Sequence, residues 1–157
     1  MFYRFHYEAT FYPDLDRLPL HVRMKLDLIG VKLSLKHWLA FHIEERTVIC
    51  HLPVDHEDEK QAFRDYLNFL SRQYCRGPVQ ELPPMEPFWE ISDQVPAAVL
   101  ERSGDNGNAV KLEEWTGWAS HQRYALYKTA VSKSEPEKFF AVLEELRKTE
   151  VDVQEHV

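Results

Sequence analysis

Cys50 stands beside His51, and eight histidines are spread along the chain, so thiol chemistry and metal ligation are the first reactions to weigh. A cysteine nucleophile needs a base within hydrogen-bond reach and a third group to orient that base. Neighbours on a helix point apart, and no acid is indicated to orient His51. His37 and His42 are five positions apart, as are His51 and His56, which puts the members of each pair on different sides of a helix. No HExxH pair and no calcium-loop pattern occurs. The stretch SGDNGN, Ser103 to Asn108, lacks the Lys and the Ser or Thr that a phosphate cradle needs, and it reads as a turn. Cys50 and Cys75 are too few for a disulfide framework and lack zinc spacing. No cofactor, metal or catalytic site is therefore expected, and the protein is read as non-enzymatic, with a small enzyme of unrecognised site as an alternative.

Charge carries more information. The net charge is −7, which argues against nucleic acid, because phosphate binding relies on clustered Lys and Arg. The distribution is uneven: residues 1–52 hold seven Lys and Arg against six Asp and Glu, and residues 53–157 hold twelve against twenty. Such polarity suits a protein partner of complementary charge. The positive end concentrates in residues 23–36, where Arg23, Lys25, Lys32 and Lys36 surround Asp27. This band could meet an acidic protein surface or the phosphate of a pterin-type cofactor. The plain alternative is an ordinary solvated helix face.

The elements that position these residues come in two sets. Shifted by 77 positions, residues 11–70 lie over 88–147 with ten identities and no gap, among them Pro19/Pro96, Gly30/Gly107, Leu35/Leu112, Trp38/Trp115, Arg46/Arg123 and Phe63/Phe140. Such a register predicts an internal duplication. It also separates scaffold from site, since residues present in both copies are most simply structural. Trp38 with Arg46 and Trp115 with Arg123 are such pairs. Each Arg lies eight residues after its Trp and could rest on the indole face. Arg23, Lys32 and Lys36 instead face Leu100, Ala109 and Glu113, so they are the candidates for binding. Lys128 follows the second Arg and is a secondary candidate.

Residues 18–35 alternate apolar and polar positions and alone would suggest a strand. Their counterpart from Val95 to Gly107 has a Pro opening, helix formers and a Ser-Gly stop, which is helical grammar. A helix is therefore expected over 19–29, with Gly30 just past its end. A short helix follows Ser34 as N-cap and carries Leu35, Trp38 and Leu39. Third helices are expected over 43–51 and 120–129, the latter capped by Ser120, and fourth helices over 57–73 and 135–148, the latter with Ser134 and Glu137 as a capping box. Phe63, Tyr66, Leu67, Phe69, Leu70 and Tyr74 recur at helical spacing, as do Phe139, Phe140, Leu143 and Leu146.

Each set of four helices is marginal alone, and tandem copies can bury matching faces. The expected fold is all-α, about eight short helices in two four-helix repeats (11–70 and 88–147) packed with pseudo-two-fold symmetry, the Trp38 and Trp115 helices near the seam. One domain would span 1–150, with a proline-rich extended linker over 77–88 and a frayed tail over 151–157. No apolar run approaches the ~18 residues of a membrane span, and the start lacks a signal-peptide pattern. A cytoplasmic protein is expected.

The segments FHYEATF, LPLHVRMKLDLIGVKLSLKHW, EERTVICHLP and HQRYALYK, in this order, resemble the nitrate reductase associated protein family. The resemblance spans roughly residues 3–146. Its most specific part is Pro19, Val22-Arg23, Lys25-Leu26-Asp27, Gly30, Lys32-Leu33 and Trp38, then Arg46 and Gln122 to Leu126. It implies an accessory or maturation factor of a molybdenum-dependent assimilatory nitrate reductase, acting through a protein partner that is the reductase or its molybdenum-cofactor supply. A general helical interaction module outside nitrate metabolism is the alternative.

Overall fold

The computed structural model describes residues 2–91, 93–104, 107–133 and 136–155, with side chains as far as Lys148. Among these the chain forms helices α1 (Leu20–Ile29), α2 (Leu35–Ala40), α3 (Ile43–His51), α4 (Glu57–Tyr74), α5 (Ala97–Gly104), α6 (Leu112–Gly117), α7 (Ser120–Val131) and α8 (Glu137–Glu155). The only sheet among them is a ladder of two short strands, β1 (Val31–Lys32) and β2 (Gln80–Glu81). The chain divides into two compact units, the first made of residues 2–4 with Glu8–Glu86, the second of Phe5–Tyr7 with the chain from Pro87 onward.

In the first unit, α1 starts after Pro19, whose φ of −62° leads into the helix. It ends at Gly30, which adopts φ 73° and donates its N–H to the Leu26 carbonyl at 3.0 Å. Glycine is required there twice over. The left-handed conformation disfavours a Cβ, and a Cβ would also collide with the carbonyl oxygen of Leu82. That close approach arises because the proline-rich stretch is pinned back onto α1. Leu82 N–H donates to Gly30 O at 2.8 Å, Met85 N–H donates to Asp27 O at 3.0 Å, and β2 pairs antiparallel with β1, Val31 opposite Glu81. The segment expected as a surface linker thus closes the first unit. The alternating pattern of residues 18–35 yields only two strand residues, because its remainder is held in α1 by helical spacing of Val22, Leu26 and Ile29, all buried.

Helix starts follow one local rule. The Ser34 hydroxyl accepts from His37 N–H at 3.1 Å. At the starts of α3, α4, α6 and α7, a Glu or Gln three residues into the helix accepts the N–H of the capping residue. The pairs are Glu45 with His42, Glu59 with His56, Glu114 with Lys111 and Gln122 with Ala119, at 2.8 to 3.1 Å. This corrects the expected cap at Ser120: Ala119 holds that position, and Ser120 is the first helical residue with its hydroxyl buried. Gln122 supplies the reciprocal bond, accepting the N–H of Ala119. Ser134, the expected partner of Glu137, lies outside the described residues. The tail expected over 151–157 begins inside α8, which runs on to Glu155.

Each unit buries its own aromatic core. In the first, Trp38, Phe41, Ile49, Phe63, Leu67 and Leu70 are at most 2% exposed. In the second, Trp89, Trp115, Tyr124, Leu126, Phe139 and Val142 are fully buried. Leu20 and Ala97, Leu35 and Leu112, and Ile43 and Ser120 open the first three helices of the units, each pair 77 positions apart. The fourth pair, Glu57 and Glu137, does not keep that offset.

Candidate docking surface

The band expected at Arg23, Lys25, Asp27, Lys32 and Lys36 does not remain one patch. Lys25 is corrected outright. It is 1% exposed, and its Nζ donates to the carbonyls of Cys50 and Leu52, both at 2.7 Å. These are carbonyls at the end of α3, where a helix leaves its acceptors unpaired and its dipole favours a cation. Burial pulls the ammonium down from 10.5 to about 8, against the raising influence of Cys50 and Asp55. Lys25 is a buried helix cap and offers nothing to a partner.

Arg23 is exposed in the first turn of α1, with its Nε donating to Leu18 O at 3.3 Å. Lys32 lies in β1, beyond the far end of the same helix. Asp27 is half-buried on the helix between them. Lys32 and Lys36 remain together and exposed. Between and beside them stand Leu35 and Leu39, each 47% exposed. Of the three apolar residues expected on α2, only Trp38 is buried. A helix of six residues has under two turns, and here one indole fills its inner face. Leu35 and Leu39, a turn apart, share the other. The surface therefore presents Lys32, Leu35, Lys36 and Leu39 within eight residues.

The Trp and Arg residues paired at the 77-position offset each bond backbone within their own unit. Trp38 Nε1 donates to Leu15 O at 2.7 Å, and Trp115 Nε1 donates to Ile91 O at 2.8 Å. Each indole thereby tethers the segment that precedes the first helix of its unit. The arginines grip the same segments: Arg46 Nη1 donates to Leu15 O at 2.8 Å, and Arg123 Nε donates to Trp89 O at 2.6 Å. Stacking holds for one of them, since the Arg123 guanidinium lies 5.9 Å from the Trp115 ring. Arg46 instead spends its Nη1 on two carbonyls, Asp14 at 3.1 Å as well as Leu15. Lys128 is half-buried on α7.

The thiol is equally enclosed. Cys50 is 1% exposed and burial pushes it up to about 12, with Lys25 and Arg4 only partly opposing. It stays protonated and is no nucleophile at neutral pH. Among the described residues no group of three His, Cys, Asp or Glu side chains could hold a metal ion, and none of the described helices is long and apolar enough to cross a membrane.

Lys32, Leu35, Lys36 and Leu39 are thus the charged and apolar side chains that the segment 32–39 exposes. The family model described as conserved nitrate reductase-associated protein matches residues 4–146. No curated protein and no solved structure matches the chain.

Proposed function

This chain belongs to the conserved nitrate reductase-associated protein family, and from that premise we propose that it is a non-catalytic accessory protein of a molybdenum-dependent assimilatory nitrate reductase. In this reading it binds the reductase, or the proteins that supply its molybdenum cofactor, through the segment Lys32 to Leu39. The observation that carries the reading is the exposure of Leu35 and Leu39 beside Lys32 and Lys36. Interfaces combine apolar anchors with charges that steer encounter, and the buried indole of Trp38 holds this short helix rigid from below. Pro19, Gly30 and the pinned proline-rich stretch fix the two ends of α1 and so the approach to β1 and α2. Two lysines facing an acidic surface make the association sensitive to salt.

The test is affinity capture of the tagged full-length chain from cells grown on nitrate. Enrichment of the reductase or of a cofactor-supply protein is expected, with loss of about tenfold or more in the triple variant Lys32→Glu, Leu35→Asp, Lys36→Glu, whose substitutions all fall on exposed positions. Capture of neither protein by the unaltered chain, or equal capture by the triple variant with its helical circular dichroism intact, overturns the proposal.

A further inference from the structure

The second unit carries an open, mostly apolar groove of about 370 Å³, lined by Phe88, Ile91, Gln94, Pro96, Ala97, Ala98 and Tyr127. Phe88 and Ile91 are 41% and 49% exposed. The rim is acidic. Residues 87–101 include Glu90, Asp93 and Glu101, all exposed, and no Lys or Arg. Arg102, Arg123 and Lys128, all half-buried, are the nearest cations in sequence to the lining, and Arg123 already acts on Glu90. Glu101 lies one turn beyond Ala97 and Ala98 on α5, on the same face.

The first unit shows what fills the matching place. The positions 77 residues earlier on its helices are Pro19, Leu20, His21 and Cys50, and all four are buried. Of these, His21 sits beneath the chain's own opening residues. Tyr3 N–H donates to His21 Nδ1 at 3.0 Å, the Tyr3 and His21 rings are 4.9 Å apart, and Phe2 stacks on His21 at 6.2 Å. Arg4 lies 5.5 Å over the rings of Phe2 and Tyr12. An aromatic pair followed by an arginine thus covers the first helix of that unit. In the second unit the same helix positions are alanines, Ala97 exposed and Ala98 half-buried, beside a half-buried Tyr127. Smaller side chains deepen the concavity, and the acidic rim supplies what an arginine or lysine would pair with.

We propose that this groove docks an extended segment of a protein partner in which aromatic residues adjoin an Arg or Lys, as Phe2, Tyr3 and Arg4 do in the first unit. The aromatic rings enter between Phe88, Ile91 and Tyr127 over the two alanines. The cation meets Asp93 or Glu101. The surface is separate in sequence from Lys32 to Leu39 and opposite to it in charge, so the two bind different chemistry.

The experiment titrates the full-length chain into a fluorescently labelled peptide Gly-Phe-Tyr-Arg-Phe-Gly, read by anisotropy, with amide shifts mapped by NMR. Saturable binding is expected, with shifts at Ala97, Ala98 and Tyr127. Affinity falls about tenfold in Ala98→Arg. It falls also in Glu101→Lys, which is fully on the surface and leaves folding intact. Lys36→Glu leaves it unchanged. The absence of saturable binding overturns the proposal, as does equal affinity for the peptide with Glu in place of Arg. A concentration-dependent dimer that Ala98→Arg abolishes overturns it as well, because the groove then belongs to a second copy of the chain.

Discussion

Lys25 Nζ stands 2.7 Å from the carbonyl oxygen of Cys50, so a lysine in the middle of α1 closes the end of α3. The second bond, to Leu52 O at 2.7 Å, makes this one ammonium the donor for two acceptors of a finished helix. Replacing Lys25 by Ala leaves those acceptors without it and opens a cavity. The expected loss of stability is about 3 kcal/mol, measured by urea unfolding. Lys25→Met keeps most of the volume and discards a charge that is costly to bury, so it costs less than Ala. Neither change alters partner capture once the protein is folded, which separates this residue from Lys32 and Lys36.

Gly30 gives the sharpest backbone prediction. Gly30→Ala places a Cβ in a left-handed conformation and against Leu82 O, so the strained residue and the pinned proline-rich stretch cannot both keep their places. A loss of about 2 to 4 kcal/mol is expected, together with faster amide exchange at Leu82 and Met85, whose N–H groups bond Gly30 and Asp27. Gly77, where an added Cβ meets nothing within 4 Å, is the control and tolerates Ala.

Acid sensitivity centres on His121. Burial pulls its pKa from 6.5 down to about 4, and the Phe5 ring lies 6.1 Å from its imidazole. The folded chain therefore binds this proton less readily than the unfolded chain. As pH falls from 6.5 towards 4 the unfolded state takes up the proton first, and stability drops across that window. His121→Gln removes that dependence. Thermal unfolding from pH 7 to pH 4 should show a flatter acid limb in the variant, and an unchanged slope would exclude the residue as the source.

Arg147 joins α8 to α6 with a bidentate pair, Nε to Glu114 Oε2 at 2.7 Å and Nη2 to Glu114 Oε1 at 3.0 Å, and with a further bond to Asn108 O at 3.0 Å. Burial acts to raise the Glu114 carboxyl, but the bonds from Arg147 and from Lys111 N–H outweigh it and hold the pKa below 4.5. Both side chains are partly exposed, so the pair is worth less than a buried one. A double-mutant cycle with Arg147→Ala and Glu114→Ala should give a coupling of about 1 kcal/mol, falling in high salt.

Much of the helical layout was legible because it rests on local chemistry. Pro19, Gly30, Ser34 and the glutamates of the first turns act on atoms within four residues of themselves, and the helix starts at Leu20, Leu35 and Ile43 followed. The site was legible only in part. Charge pattern pointed to residues 23–36 but could not tell Lys25, which turns inward to unpaired carbonyls, from Lys36, which does not. Helical spacing grouped Phe69 with Phe63, Leu67 and Leu70, whereas Phe69 is 61% exposed on α4 and the other three are buried. Periodicity marks which residues share a helix face, and it does not say how wide a face the neighbours cover.

What the sequence determined by itself is the set of helices and the starts marked by Pro19 and Ser34, since each depends on contacts a few residues long. Tertiary structure alone decided that Lys25 caps a helix 25 residues away, that the proline-rich stretch folds back on Gly30, and that Phe2 and Tyr3 cover His21. Each of these joins groups far apart in the chain. Their partners are chosen by which buried polar atoms would otherwise go unpaired, and that is known only when the helices have packed.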